Sequence, residues 1–254
     1  MAITIKSERE IELMAEAGKI LERVHNELEK ALRPGMSTKD IDTLGEEIIR
    51  SYGCIPSFLN YNGYPASICV SVNQEVVHGI PDKHRIIQEG DIVSLDAGVI
   101  YKGYHSDAAR THAVGEVSEE AKKLIQVTKE SFFEGIKFAK AGNHLFDISG
   151  AIGRYAEERG YGVVRDLCGH GIGTALHEAP EIPNYEAGRK GVRLRPGMTL
   201  AIEPMINIGT HEVDWLDDDW TVVTRDGSLS AHYENTILIT EGEPRILSLT
   251  CENE

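Results

Sequence analysis

The 254-residue sequence predicts an α/β fold made of two similar halves packed about an approximate two-fold axis. Helical stretches followed by strand-like segments occur near the start of the chain and again after residue 118. A single shift of 107 positions relates residues of the two halves. The related pairs are Gly35 and Gly142, Asp40 and Asp147, Ile41 and Ile148, Gly53 and Gly160, Gly90 and Gly197, and Asp96 and Glu203. One offset that holds in two separated stretches favours an internal repeat over a coincidence among common residues.

Composition restricts the class of protein. With 41% hydrophobic residues the chain can bury a full core, and no linker-like segment separates the halves. We therefore expect one domain over residues 1–254, with its repeats at about 7–115 and 118–250. The formal net charge of −15 opposes binding to nucleic acid or to anionic membranes. The N-terminus has no signal-peptide pattern and the chain has no long apolar run, so we expect a cytoplasmic protein. We also expect it to be a monomer.

The first half begins with two predicted helices. Ser7 and Glu10 form a capping box before an apolar stripe at helical spacing, which predicts a helix to about Lys30. A second capping pair, Ser37 with Asp40, predicts the next helix, and Gly53 ends it. The segment 54–72 combines aromatic residues, an Asn-Gly pair and a proline with a β-branched run, so we expect a loop followed by a strand.

A β-hairpin at residues 90–110 is the centre of the first half. Period-two alternation from residue 92 and a turn at Lys102-Gly103 predict two long antiparallel strands. In that register Asp107 faces Gly98, which lies on the same face as Asp96. Diagonal neighbours on a pair of strands lie about 7–8 Å apart, so both carboxylates can reach one ion.

The second half repeats the order and adds further acidic residues. Helices are predicted from about Glu119 and through Asp147. Glu203 ends the predicted strand MTLAIE, and Glu234 belongs to a strand predicted to begin near His232. His170 is the candidate histidine ligand, because the glycines on both sides of it let the backbone approach a bound ligand closely. A phosphate-binding loop is the weaker interpretation of that glycine run, because no Lys-Ser or Lys-Thr pair follows.

Four carboxylates brought together require a counter-charge, and two divalent cations supply it. Oxygen ligands with one imidazole suit Mn²⁺, Fe²⁺ or Co²⁺ and tolerate Zn²⁺. A zincin helix is excluded, because Pro180 would break the helix that must follow His177-Glu178. Each carboxylate taken alone would be an ordinary surface residue, so the prediction rests on their arrangement. The four scattered cysteines are expected to be buried small hydrophobic side chains: Cys54, Cys69, Cys168 and Cys251.

The predicted set Asp96, Asp107, His170, Glu203 and Glu234 resembles the metal-ligand set of type I methionine aminopeptidases. The resemblance covers nearly the whole chain. Its most specific segments are YNGYP at 61–65, VHGIP at 77–81, CGHGIG at 168–173, HE at 177–178, GMT at 197–199, IEPM at 202–205 and GSLSA at 227–231. The resemblance implies the pita-bread fold, in which a central curved antiparallel sheet is flanked by outer helices.

The resemblance also implies an activity and a set of roles. The reaction is removal of the initiator methionine from nascent polypeptides with a small second residue, by a metal-bridged hydroxide. Glu203 is implied as proton shuttle, while His78 and His177 would bind the scissile amide and the oxyanion. The implied methionine pocket consists of Tyr61, Tyr64, Cys69, Leu176 and Trp220. Nascent-chain N-termini are the implied partners, and a transient ribosome association fits that role.

The chain departs from relatives at the pocket, and other members of the fold are alternatives. Phe58, Asn62 and Leu176 stand where relatives can carry cysteine, histidine and phenylalanine, which affects the pocket's shape. Aminopeptidase P and prolidase share the five ligands but usually carry a large N-terminal domain. Type II methionine aminopeptidases need a long insertion, for which the segment from His170 to Glu203 leaves little room. A non-catalytic binding protein on this fold would be expected to have lost ligands.

Overall fold

The computed structural model describes residues 2–249. The α-helices in that range are α1 (Glu8–Ala31), α2 (Thr38–Ser51), α3 (Glu119–Ile136) and α4 (Leu145–Glu157), with a short 3₁₀ turn at Tyr61–Gly63. The first-half strands are β1 (Ile55–Pro56), β2 (Ile68–Val72), β3 (Glu75–Val77), β4 (Ile92–Tyr101) and β5 (Tyr104–Ala113). The second-half strands are β6 (Gly162–Val163), β7 (Gly169–Gly171), β8 (Glu178–Ile182), β9 (Thr199–Ile202), β10 (Met205–Asn207), β11 (Val213–Trp215), β12 (Val222–Thr224), β13 (Ser230–His232), β14 (Asn235–Leu238) and β15 (Arg245–Ile246).

The predicted helix starts are confirmed. The backbone N–H of Ser7 donates to the Glu10 carboxylate at 2.7 Å, and that of Ser37 donates to Asp40 at 2.8 Å. These bonds satisfy N–H groups that have no partner inside the helix. The buried face of α1 packs on the hairpin, where a ring nitrogen of His25 lies 2.8 Å from the Ala108 carbonyl oxygen. None of the helices within residues 2–249 combines the length and apolar character needed to cross a membrane.

The central sheets are antiparallel, and the predicted hairpin register is confirmed. Strand β4 pairs with β5 along its whole length, and Gly98 lies opposite Asp107. On its other side β4 pairs with β2 and with the short β1. The corresponding sheet of the second half has the order β15-β14-β9-β7-β8.

Positions related by the 107-residue shift have matching conformations. Gly35 and Gly142 both have positive φ, at +90° and +92°. The isolated bridge between residues 37 and 86 has its counterpart between residues 144 and 193, at the same offset. Each half also has its own apolar core, one beneath α1 and α2 and one beneath α3 and α4. These correspondences support two pseudo-symmetric halves, and the repeat limits 7–115 and 118–250 within one domain stay a proposal.

Two details differ from the sequence predictions. Glu203 lies one residue beyond β9, and Glu234 lies in the two-residue break between β13 and β14, so neither is within a strand. The break arises because the Glu234 backbone leaves its own sheet and pairs with Ala109 of β5, at N–O distances of 3.0 and 3.4 Å. Among the cysteines, Cys54 and Cys69 are buried as expected, Cys168 is half-buried, and Cys251 lies outside the described residues.

Candidate metal centre

The hairpin supplies two buried carboxylates. Asp96 on β4 is 9% exposed and Asp107 on β5 is 4% exposed. Since Asp107 faces Gly98, the two side chains lie diagonally on one face of the sheet, as the sequence predicts. Gly98 leaves no space for a side chain, because a Cβ there would lie 2.7 Å from the Cβ of Ser57. Ser57 and Phe58 therefore pack directly against the backbone opposite Asp107, and only a residue without a side chain fits there.

The second half brings His170, Glu203 and Glu234 to the same place. The His170 Nε2 atom lies 3.9 Å from Asp107 Oδ2 and 3.6 Å from Glu203 Oε1. One ligand atom each of Asp107, His170 and Glu234 lies within 4.8 Å of the other two. The structure thus brings Asp107, His170, Glu203 and Glu234 into these close contacts. Asp96 belongs to neither close group but lines the same pocket as the other four predicted ligands.

A sixth residue, His232, was missed at the level of sequence. Its Nε2 lies 3.7 Å from Glu203 Oε2, and it forms a second close group with Glu203 and Glu234. The sequence did contain one signal. His232 lies two residues before Glu234, and residues at this spacing point to the same face of a strand. A histidine at the end of a buried strand usually has a packing role, so the sequence alone gives no reason to prefer a site.

The carboxylates are poorly satisfied by the protein itself. Asp96 Oδ1, Asp107 Oδ1 and Glu234 Oε1 are buried and have no hydrogen-bond partner within residues 2–249. Burial raises the pKa of Asp96 to about 7 and raises the pKa values of Asp107, Glu203 and Glu234 well above their usual range. Buried polar atoms normally have partners, so these oxygens fit a site for divalent cations, which oxygen ligands and imidazole favour.

The imidazoles at the site are in the form that binds metal. Burial lowers the pKa of His170 to about 3 and the pKa values of His78 and His232 to about 4. A neutral ring has a free nitrogen lone pair, which metal binding requires. On the far side of Glu234 the Arg110 guanidinium donates to the Glu234 carbonyl oxygen and, at 2.6 Å, to Asn235 Oδ1. Arg110 therefore fixes the backbone that carries Glu234.

A pocket opens from the carboxylates toward solvent. The lining residues are Phe58, Tyr61, Asn62, Tyr64, Cys69, His78, Asp96, Asp107, His170, Leu176, His177, Glu203, Trp220 and Glu234. The pocket has a volume of about 170 Å³, and its lining contains all five residues expected from the sequence to surround a methionine side chain. Tyr64 and Trp220 meet edge to face at 5.1 Å between ring centroids. The inner end of the pocket is therefore acidic and its walls are apolar.

Two further histidines stand beside the pocket without joining either close group. The His177 Nδ1 atom shares a hydrogen bond of 2.7 Å with the Tyr61 hydroxyl, and its ring lies 4.2 Å from that of His170. His78 has an unusual positive φ of 58°. It is held there by Gly79, whose N–H donates to Ser71 Oγ at 3.1 Å and whose carbonyl accepts from Tyr64 and Val70. The ring of His177 and the backbone of His78 thus have fixed positions at the pocket.

Comparison with known proteins gives one consistent result. The model of metallopeptidase family M24 matches residues 12–241. The chain is 58% identical to a methionine aminopeptidase of Clostridium acetobutylicum over 98% of its own length and 100% of that protein. It superposes on the crystal structure of methionine aminopeptidase from Thermotoga maritima with a TM-score of 0.95 and 48% identity, covering 97% and 99% of the two chains. An Xaa-Pro dipeptidase from Bacillus anthracis is more distant, at 28% identity and a TM-score of 0.77, and this chain covers 63% of it.

Proposed function

The chain belongs to metallopeptidase family M24, and we propose that Asp96, Asp107, His170, Glu203 and Glu234 hold two divalent metal ions in it. The protein has the pita-bread fold of that family and removes the N-terminal methionine from polypeptides by metal-dependent hydrolysis. The observation that carries the assignment of the site is the group of buried carboxylate oxygens without partners at the inner end of an apolar pocket.

The ions would contribute Lewis-acid chemistry, because a bound divalent cation lowers the pKa of a water molecule and polarises a carbonyl oxygen. The protein's own residues bind and orient the substrate around them. Glu203 lies within 3.6 Å of His170 and is more exposed than the other carboxylates, so we assign it the transfer of a proton to the leaving amine. His78 and His177 stand beside the pocket, where they would donate hydrogen bonds to the scissile amide and to the developing oxyanion.

Selectivity for methionine would come from the pocket walls. Tyr61, Tyr64 and Trp220 offer aromatic faces and edges, and sulfur contacts with aromatic rings are favourable. Buried Cys69 and Leu176 complete the apolar surface. Burial of a methionine side chain is worth about 1.5–3 kcal/mol, which corresponds to a preference of about 10- to 150-fold over a residue without a side chain at this position. The α-ammonium group of the substrate would lie against the acidic cluster and select free N-termini.

The test is peptide cleavage by the purified protein loaded separately with Mn²⁺, Fe²⁺ or Co²⁺. We expect methionine release from Met-Ala-Ser and at least about tenfold slower release from Met-Lys-Ser, since we propose a preference for a small second residue. An Ala-Pro peptide is the control for the proline-directed relatives of this fold. Equal turnover of the Ala-Pro peptide and Met-Ala-Ser would refute the proposed selectivity.

The cellular setting is a further part of the proposal. We propose a cytoplasmic monomer that meets nascent chains at the ribosome through transient contacts. The net charge of −15 supports it, because like charge opposes self-association and stable binding to RNA. The free thiols of Cys54 and Cys69 fit a reducing compartment. Sedimentation of the purified protein tests the oligomeric state, and co-sedimentation with ribosomes at low and high salt tests the docking.

A further inference from the structure

The metal centre contains two imidazoles, one on each side of Glu203. His170 Nε2 lies 3.6 Å from Glu203 Oε1, and His232 Nε2 lies 3.7 Å from Glu203 Oε2. Atoms that ligate one ion at about 2.1 Å each lie roughly 3.0–3.5 Å apart, so both distances approach those of ligands sharing an ion. At 3.6 Å or more the rings do not hydrogen-bond to the carboxylate directly. The carboxylate of Glu203 thus presents one oxygen to each ring.

His232 is deeply buried and has no partner for its ring. The residue is 1% exposed, and neither Nδ1 nor Nε2 has a hydrogen-bond partner within residues 2–249. A neutral imidazole has one donor and one acceptor, and leaving both unsatisfied inside a protein costs free energy. Its backbone is held against β5, since the backbone N–H of His232 donates to Thr111 Oγ1 and its carbonyl accepts from the same hydroxyl, both at 2.9 Å. A bound metal ion would give one of these buried ring nitrogens the partner that the protein does not provide.

The ligand atoms divide into two groups of three. Asp107, His170 and Glu234 form one group, and Glu203, His232 and Glu234 form the other. Each group contains a single imidazole, and Glu234 belongs to both. We propose that His232 is a sixth metal ligand, so that each of the two divalent ions is bound by one imidazole. This inference rests on the proposed dinuclear site and adds a second imidazole to the five-residue ligand set predicted from the sequence.

The experiment counts the imidazoles bound to metal. In Co²⁺-loaded protein labelled with ¹⁵N-histidine, the ring N–H of each ligating imidazole has a strongly shifted, solvent-exchangeable proton signal. We expect two such signals in the wild-type protein with two ions bound, and one in His232→Gln. His170→Gln is the matched variant and should lose the other signal. His112→Gln is the control: His112 lines the cavity behind the site with His232 but belongs to neither group, so both signals should remain.

Calorimetric titration with Co²⁺ or Mn²⁺ gives a second readout. We expect His232→Gln to weaken one of the two binding steps by at least about tenfold and to leave the other within about threefold. The inference is overturned if wild-type protein with two bound ions has a single shifted imidazole, a result that needs no variant to fold. It is also overturned if His232→Gln keeps both signals. Wild-type protein that binds no divalent ion would instead refute the proposed function.

Discussion

Replacing Tyr64 by phenylalanine should slow catalysis more than it weakens binding of methionine. Burial raises the pKa of the Tyr64 hydroxyl, so it is a neutral donor at all working pH values. It donates to the Gly79 carbonyl at 2.9 Å and lies 3.3 Å from the Ile68 carbonyl. Gly79 follows His78, whose positive φ is a conformation that costs a residue with a side chain about 1–3 kcal/mol. Tyr64 therefore helps to hold His78 in place beside the pocket.

The size of the effect follows from the remaining contacts. The Gly79 carbonyl still accepts from the Val70 N–H at 3.0 Å, so it keeps a partner in Tyr64→Phe. The loss should be near that of a single net hydrogen bond, about 0.5–1.5 kcal/mol in the free energy of unfolding. If that energy positions His78, kcat falls by about 2- to 10-fold. The phenylalanine ring keeps its contact with Trp220, so KM for Met-Ala-Ser should stay within about twofold.

Steady-state kinetics and urea unfolding measure both effects. Tyr52→Phe is the matched control, because its hydroxyl donates to the exposed Glu27 at 3.0 Å and lies away from the pocket. We expect it to change the free energy of unfolding by less than about 0.5 kcal/mol and to leave kcat unaltered. A Tyr64→Phe protein with wild-type kcat would refute the positioning argument, and so would a tenfold higher KM with unchanged kcat.

Three further predictions concern Glu203 in the metal site, Asp42 on α2 and His25 on α1. Glu203→Ala should lower activity at least about 100-fold and weaken metal binding in calorimetry, because it removes a carboxylate shared by both imidazoles; wild-type turnover would contradict this. Asp42→Ala should lower the free energy of unfolding by about 2–4 kcal/mol in urea, because its carboxylate accepts from the backbone N–H groups of residues 67 and 68 at 2.8 and 3.0 Å; a change below about 0.5 kcal/mol would count against it. Burial holds the pKa of His25 well below its usual value, so the unfolded state binds the extra proton and stability falls as pH drops below about 6.5. His25→Gln, measured in chelator, should reduce that slope by up to about 1.4 kcal/mol per pH unit, and an unchanged slope would exclude His25 as its cause.

The hairpin was predictable from sequence because its geometry is local. A two-residue turn fixes the register of both strands, and register decides which side chains share a face. That reasoning places Asp96 and Asp107 together, as the structure has them. The helices were predictable for a similar reason, since the capping pairs and apolar spacing lie within a few turns of each other.

Glu234 and His232 were harder to place because their environment depends on distant segments. The alternation in SAHYENTILIT continues through Tyr233, so the pattern predicts one strand. The strand is interrupted at Tyr233 and Glu234, because the Tyr233 N–H donates to the Pro204 carbonyl at 3.2 Å and the Glu234 backbone pairs with Ala109. A local sequence pattern does not reveal either partner, because both are distant along the chain. The second imidazole could be recognised only when Glu203, from another part of the chain, lay beside it.

Because the proposed ligands come from both halves of the chain, the metal site can form only after both halves have folded together. Asp96 and Asp107 leave the ribosome early in synthesis, while Glu234 is made more than a hundred residues later. A hairpin with two carboxylates is a weak, unselective cation site, whereas both three-residue groups require the second half. We therefore expect a partly synthesised chain to bind metal ions weakly. We expect hydrolytic activity only after the second half has been made and has folded onto the first.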